Sequence, residues 1–201
     1  MEMTGEQLIP ASQQDTWAAL NDPEVLKACV PGCESITLVN ENEYQVNMTA
    51  RVGPVSAKFR GRLSLSDIKP PQSYALAFEG QGGAAGFAKG GASVRLTATG
   101  PKETRLAYDV KANVGGKLAQ IGSRLVDAAA KKVADDFFQN FNKRMTAAED
   151  ETVVMQERDS HAAHAASSTQ SAVPGVSNTT LMFFAAGTLV VFLVALVTLL
   201  G

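Results

Sequence analysis

Between Glu34 and Val114 apolar side chains recur at every second residue, whereas residues 117–146 run without a proline and repeat their apolar positions every three or four. A chain that changes period in this way builds two kinds of layer, first a sheet with one wet face and then a helix with an apolar stripe. Tyr44, Val46, Met48, Ala50 and Val52 alternate with Gln45, Asn47, Thr49 and Arg51. After a turn at Gly53-Pro54 the pattern continues through Val55, Ala57, Phe59, Leu63 and Leu65, then Tyr74, Leu76 and Phe78, then Val94 and Leu96, then Leu106, Tyr108, Val110 and Val114. With a strand at Ile36 and Leu38, six consecutive strands form an antiparallel meander.

Ahead of the meander, residues 2–9 read as a strand that Pro10 ends. Ser12-x-x-Asp15 caps a helix that stops at Asp22-Pro23, and Pro23 opens a second helix reaching about Ala28. After Gly116 a single long helix carries Leu118, Ile121, Leu125, Ala129, Val133, Phe137 and Phe141 as its stripe. The inward face of the sheet is the apolar surface long enough to receive it. The expected fold is therefore α+β, in the order β-α-α-β6-α, with a curved seven-stranded antiparallel sheet around a long C-terminal helix.

Charge is unevenly placed along the chain. All 18 basic and 20 acidic residues lie at or before Asp159, and residues 1–146 are close to neutral, which does not fit a nucleic-acid binder. Both histidines, His161 and His164, fall beyond the folded part, so it has no Ser-His-Asp or Cys-His chemistry and no histidine-held metal. Cys29 and Cys33 are spaced C-x3-C, too long for a redox C-x-x-C and two ligands short of a structural zinc site.

From 181 to 200 the chain reads LMFFAAGTLVVFLVALVTLL, without a charge. At 1.5 Å per residue this is about 30 Å, the hydrocarbon thickness of a bilayer, and it is expected to be a transmembrane tail anchor. Residues 147–180, rich in Ala, Ser, Thr, His and Gln, are expected to be a flexible tether spanning roughly 30–35 Å. The opening MEMTGEQLIP has no basic and apolar leader pattern, so the expected placement is single-pass in the cytoplasmic membrane with the domain, 1–146, in the cytoplasm.

Candidate ligand contacts are the large inward residues Phe59, Leu63, Leu76, Phe78, Leu96, Tyr108, Leu118, Leu125 and Phe137, most of which also serve as ordinary core. Small inward residues, Ala50, Ala57, Gly61, Ala98 and Ala112, leave room between sheet and helix for an apolar ligand. Gly80-x-Gly82-x-x-Ala85 matches a dinucleotide fingerprint, yet a strand follows it where a pyrophosphate site needs a helix. The glycine-rich stretch from Gly80 to Gly91 is instead expected as a mobile loop, with Phe87 either packed or closing a pocket mouth. On the wet face Arg51, Lys58, Arg60, Arg62 and Arg95 outnumber acids. They are either a docking patch for an acidic partner or charges that keep strands from pairing with strangers.

The order of elements resembles the helix-grip fold of the START/Bet v 1 superfamily. Four stretches are similar to the G-subunit family of carbon monoxide dehydrogenase: VPGCES at 30–35, RVGPVSAKFRGRL at 51–63, GFAKGGASVRL at 86–96 and GGKLAQIGSRLVDAAAKKVADDFF at 115–138. The resemblance implies an accessory protein with no enzymatic activity or covalent cofactor. It would bind a hydrophobic small molecule, a respiratory quinone, and bring a molybdenum-containing carbon monoxide dehydrogenase or related hydroxylase to the membrane. An assembly factor without a ligand, and an enzyme acting on an apolar substrate in the same cavity, remain the alternatives.

Overall fold

The computed structural model describes residues 1–52 and 55–162, with side chains described for 1–51 and 56–147. The first strand, β1 (Glu2–Ile9), is followed by α1 (Gln13–Leu20) and α2 (Pro23–Cys29). The expected cap is present: the Ser12 hydroxyl oxygen accepts from the Asp15 amide at 3.1 Å, and the hydroxyl donates to the Asp15 carboxylate at 2.5 Å. Asp22 caps α2 in the same way, accepting from the Glu24 amide at 2.8 Å. Six strands then meander: β2 (Cys33–Asn40), β3 (Glu43–Val52), β4 (Val55–Lys69), β5 (Ser73–Gln81), β6 (Phe87–Gly100) and β7 (Glu103–Gly115).

The first strand closes on the last, giving one antiparallel sheet in the order β1-β7-β6-β5-β4-β3-β2. Period-two burial holds along β5, where Tyr74, Leu76, Phe78 and Gly80 are buried between more open neighbours. The chain then enters α3 (Lys117–Gln120) and the long α4 (Ser123–Ala162). Helix α4 approaches β1 and β3 by backbone more extensively than the four strands between them. Across a flat sheet those two strands would stand about 24 Å apart, more than twice the width of a helix, so the sheet must curve for one helix to lie against both.

The helix differs from the sequence expectation at both ends. Gly122, at φ +97°, breaks the single helix expected after Gly116, and its carbonyl accepts the first α4 bonds from Leu125 and Val126. That break resets the phase: the buried positions are Val126, Ala130, Ala134, Phe137, Phe138, Phe141 and Met145, and Leu125 turns out to solvent at 51% exposure. At the other end α4 runs to Ala162, into the stretch expected as a tether. Ala, Glu, Met, Gln and Arg in 147–158 are strong helix formers with no glycine or proline among them, so the helix simply continues. Among the described residues no helix is long and apolar enough to cross a membrane. The apolar stretch 181–200 and the rest of the tether lie outside the described residues.

Candidate functional site

The concave face of the sheet can be read row by row from the strand register. One row, Tyr44–Leu63–Phe78–Gly90–Ala112, begins with bulk, and the row beside it, Val46–Gly61–Gly80–Ala88–Val114, has almost no side chain at its centre. The aromatic rings use this relief. A methyl group added to Gly82, Gly90 or Gly5 would collide with Phe59, Phe78 or Tyr108 respectively, so each ring lies over a glycine backbone. The glycine-rich stretch is thus mostly strand: only Gly83–Ala85 form a short 3-10 turn, and Gly82 and Gly90 give Phe59 and Phe78 a surface to lie on.

Eight of the expected ligand contacts, Phe59, Leu63, Leu76, Phe78, Leu96, Tyr108, Leu118 and Phe137, are buried in one cluster that includes Ala134, Phe138, Phe141 and Met145 of α4. Two of the expected contacts are elsewhere. Leu125 faces away because of the phase change at Gly122. Phe87 is 40% exposed, since the alternation that buries Ala88, Val94 and Leu96 puts it on the convex face, across Gly115. Of the small inward residues, Gly61 and Ala112 are buried and Ala50 and Ala57 half-buried, whereas Ala98 is exposed near the end of β6.

Two stretches of α4 meet the sheet differently. In 137–145, Phe137 stacks on Phe141 at 5.5 Å and meets Phe138 edge-on at 5.2 Å, while Phe138 stacks on Tyr108 at 5.6 Å. Asn140 donates to the Cys29 carbonyl at 3.1 Å and Asn142 to the Leu8 carbonyl at 3.2 Å, which ties this stretch to α2 and β1. In the N-terminal stretch, 123–134, Val126 and Ala130 are buried but stand outside the main core cluster. Between this stretch and β1 lies a cleft of about 410 Å³, lined by residues 1–7, Tyr108, Asp127, Lys131 and Asp135.

All three tyrosines of the chain, Tyr44, Tyr74 and Tyr108, stand on the concave face. The hydroxyls of Tyr44 and Tyr74 are fully buried and have no hydrogen-bond partner among the described residues. Such a group typically costs about 1–3 kcal/mol, a cost that an acceptor atom on a bound molecule would offset. Burial pushes Tyr44 up to about 12 and Tyr74 further; Tyr108 rises through burial first and the nearby Asp135 carboxylate second. All three therefore remain protonated donors at neutral pH. Burial also raises the free thiols of Cys29 and Cys33 to about 11, which makes them poor nucleophiles.

The convex face is a mosaic. Lys58 pairs with Glu34 at 3.1 Å and Arg62 with Glu43 at 3.0 Å, and Glu79 stands opposite Arg62 on the next strand. Arg51 and Arg60 are exposed on β3 and β4, but Arg95 lies two strands away, opposite Ser73 and well along the sheet. The five basic residues therefore do not form one contiguous patch. The exposed pairs contribute little to stability.

A curved sheet that grips one long helix over a face of apolar walls and tyrosine hydroxyls defines a START-like helix-grip domain. The comparisons agree. A START superfamily protein from Mycobacterium smegmatis superposes with a TM-score of 0.55 at 13% identity, covering 73% of this chain and 97% of its own. The Zhui aromatase/cyclase from Streptomyces sp. R1128 gives 0.54 at 11%, covering 73% and 93%. At these identities the likeness is one of fold. A conserved protein from Geobacillus kaustophilus is more similar, with a TM-score of 0.69 and 32% identity over 73% of this chain and 96% of that one. The profile of the carbon monoxide dehydrogenase G subunit (CoxG) matches residues 5–146, and the chain belongs to that family. No curated protein matches it.

Proposed function

We propose that the domain is a carrier of a respiratory quinone that serves a molybdenum-containing carbon monoxide dehydrogenase or related hydroxylase, and that residues 181–200 hold it at the cytoplasmic membrane. Within the family match, the observation that carries the ligand reading is the concave face itself: an apolar wall from Phe59, Leu63 and Phe78 with the buried, unpartnered hydroxyls of Tyr44 and Tyr74. A quinone has both matching parts, an isoprenoid tail whose burial contributes about 0.8 kcal/mol per CH2 and carbonyl oxygens that accept from phenols. The absence of histidine before residue 161 supports a binding protein over an acid–base enzyme. The charged convex face, with Arg51, Lys58, Arg60, Arg62 and Arg95, is a second proposed contact, acting on the rate at which the client enzyme is met.

Two measurements test this. Organic extraction of the purified full chain followed by mass spectrometry should release a quinone in near-stoichiometric amount; a chain that carries no apolar molecule from cells containing quinone would overturn the carrier reading. Deleting residues 181–201 should move the client from the membrane to the soluble fraction, and a client that stays on the membrane would overturn the anchoring role.

A further inference from the structure

The two ends of the sheet differ in the charges beside their exposed apolar side chains. The strand register sets Arg60, Gln81, Phe87 and Gly115 in one row across β4, β5, β6 and β7, close to where the chain turns into α3 and α4. The ring of Phe87 lies over Gly115, and a methyl group on Gly116 would strike Gly86, so the start of β6 and the entry to α3 lie together. Phe87 and, at the start of α4, Leu125 are both exposed. The two segments that bear them, 80–89 and 113–125, contain Lys89, Lys117 and Arg124 and no acid. These cations are exposed, and none is in an ion pair among the described residues. The acids nearest them along the chain or across the strands stand at the margin: Glu79 opposite Lys89, and Asp127 one turn beyond Arg124. At the other end Leu38 and Val39 are as exposed, but they stand beside Glu41 and Glu43. The connections there, 66–73 and 99–105, mix Asp67 and Glu103 with Lys69, Lys102 and Arg105.

We propose that the Phe87 end of the domain rests on an anionic lipid bilayer, with Phe87 and Leu125 entering the head-group layer and Lys89, Lys117 and Arg124 meeting lipid phosphates. Apolar side chains among cations, with no acid between them, have what an interfacial contact needs: insertion holds the surface, and the negative potential of the leaflet draws the cations. A protein partner fits less well. Two apolar side chains and three dispersed cations fall far short of the roughly 20–30 residues that each side of a stable interface presents, whereas fluid head groups rearrange around separate charges. Lys89, Lys117 and Arg124 belong neither to the concave wall nor to the five basic residues proposed for the client, so this contact is additional to both. It also differs from the role proposed for 181–200, because an anchor limits the distance to the membrane while this contact fixes which end of the domain faces it.

The test mixes the full chain with vesicles of phosphatidylcholine, alone or with phosphatidylglycerol, carrying brominated acyl chains that quench tryptophan. Single variants Phe87→Trp, Leu125→Trp and Leu38→Trp report the two ends against the baseline of Trp17, the one native tryptophan, which is buried. With phosphatidylglycerol present, emission from 87 and 125 should shift to the blue and be quenched, and emission from 38 should not. Each Lys or Arg near an anionic surface contributes about fivefold in binding, so adding Lys89→Gln, Lys117→Gln and Arg124→Gln together should abolish the quenching at 87, as should high salt. The three side chains are exposed, so the triple variant should keep its fold, which circular dichroism checks. Quenching at 38 equal to that at 87 and 125, or quenching at 87 that persists in the folded triple variant, would overturn the proposal. No quenching at 87 and 125 on phosphatidylglycerol vesicles would overturn it too, and loss of client binding in the triple variant would then assign this end to a protein.

Discussion

Two stretches of α4, 123–134 and 137–145, belong to one continuous helix and have two kinds of neighbour. Residues 137–145 present four large side chains, Phe137, Phe138, Phe141 and Met145, to the core and are tied by side-chain bonds to strand and helix backbones on either side. Residues 123–134 bury only Val126, Ala130 and Ala134, expose Leu125 and border a cleft. Large rings fix one stretch, whereas the other meets the sheet through small side chains. A carrier needs this division, because a ligand must enter without unfolding the domain, and regions that open draw on the low-stability part of a fold.

Substitutions along α4 can break or sharpen that contrast. The largest effect is expected from Phe137→Ala, which removes a fully buried ring from the aromatic stack and should cost about 3–5 kcal/mol in denaturant unfolding. Asn140→Ala removes the bond to the Cys29 carbonyl in the same stretch and should cost about 1 kcal/mol. Ala130→Leu lies in the other stretch. In a filled core the added bulk would cost about 1–3 kcal/mol, whereas in this stretch of small side chains it should cost under about 1 kcal/mol. Leu125→Ala should change stability by no more than about 0.5 kcal/mol, since the side chain faces solvent. A cost at Ala130 or Leu125 approaching that at Phe137 would mean that both stretches pack alike.

The sheet and both short helices were legible because local signals specify them: period-two alternation, the Ser12 cap and Pro23 at a helix start. The meander needs no long-range information, since each strand pairs with the next. Gly122 was not legible, because a single glycine inside a helical pattern is tolerated more often than it breaks one. Missing that break placed Leu125 on the wrong face by one step of the stripe. Phe87 falls in a stretch whose glycines resemble a loop, and its side of the sheet is fixed only by the continuation of β6 through Phe87–Gly100. The cleft was out of reach for sequence, since it depends on Gly5 pairing with Tyr108 across the closure of β1 on β7 and on the phase of α4 opposite.

Hydrogen–deuterium exchange along α4, with and without decylubiquinone, tests the division of the helix most directly. Amides in 123–134 should exchange faster than those in 137–145 in the free protein, and the quinone should slow the first group markedly while leaving the second nearly unchanged. Equal protection along both stretches of the free helix, with no response to the quinone in 123–134, would contradict it.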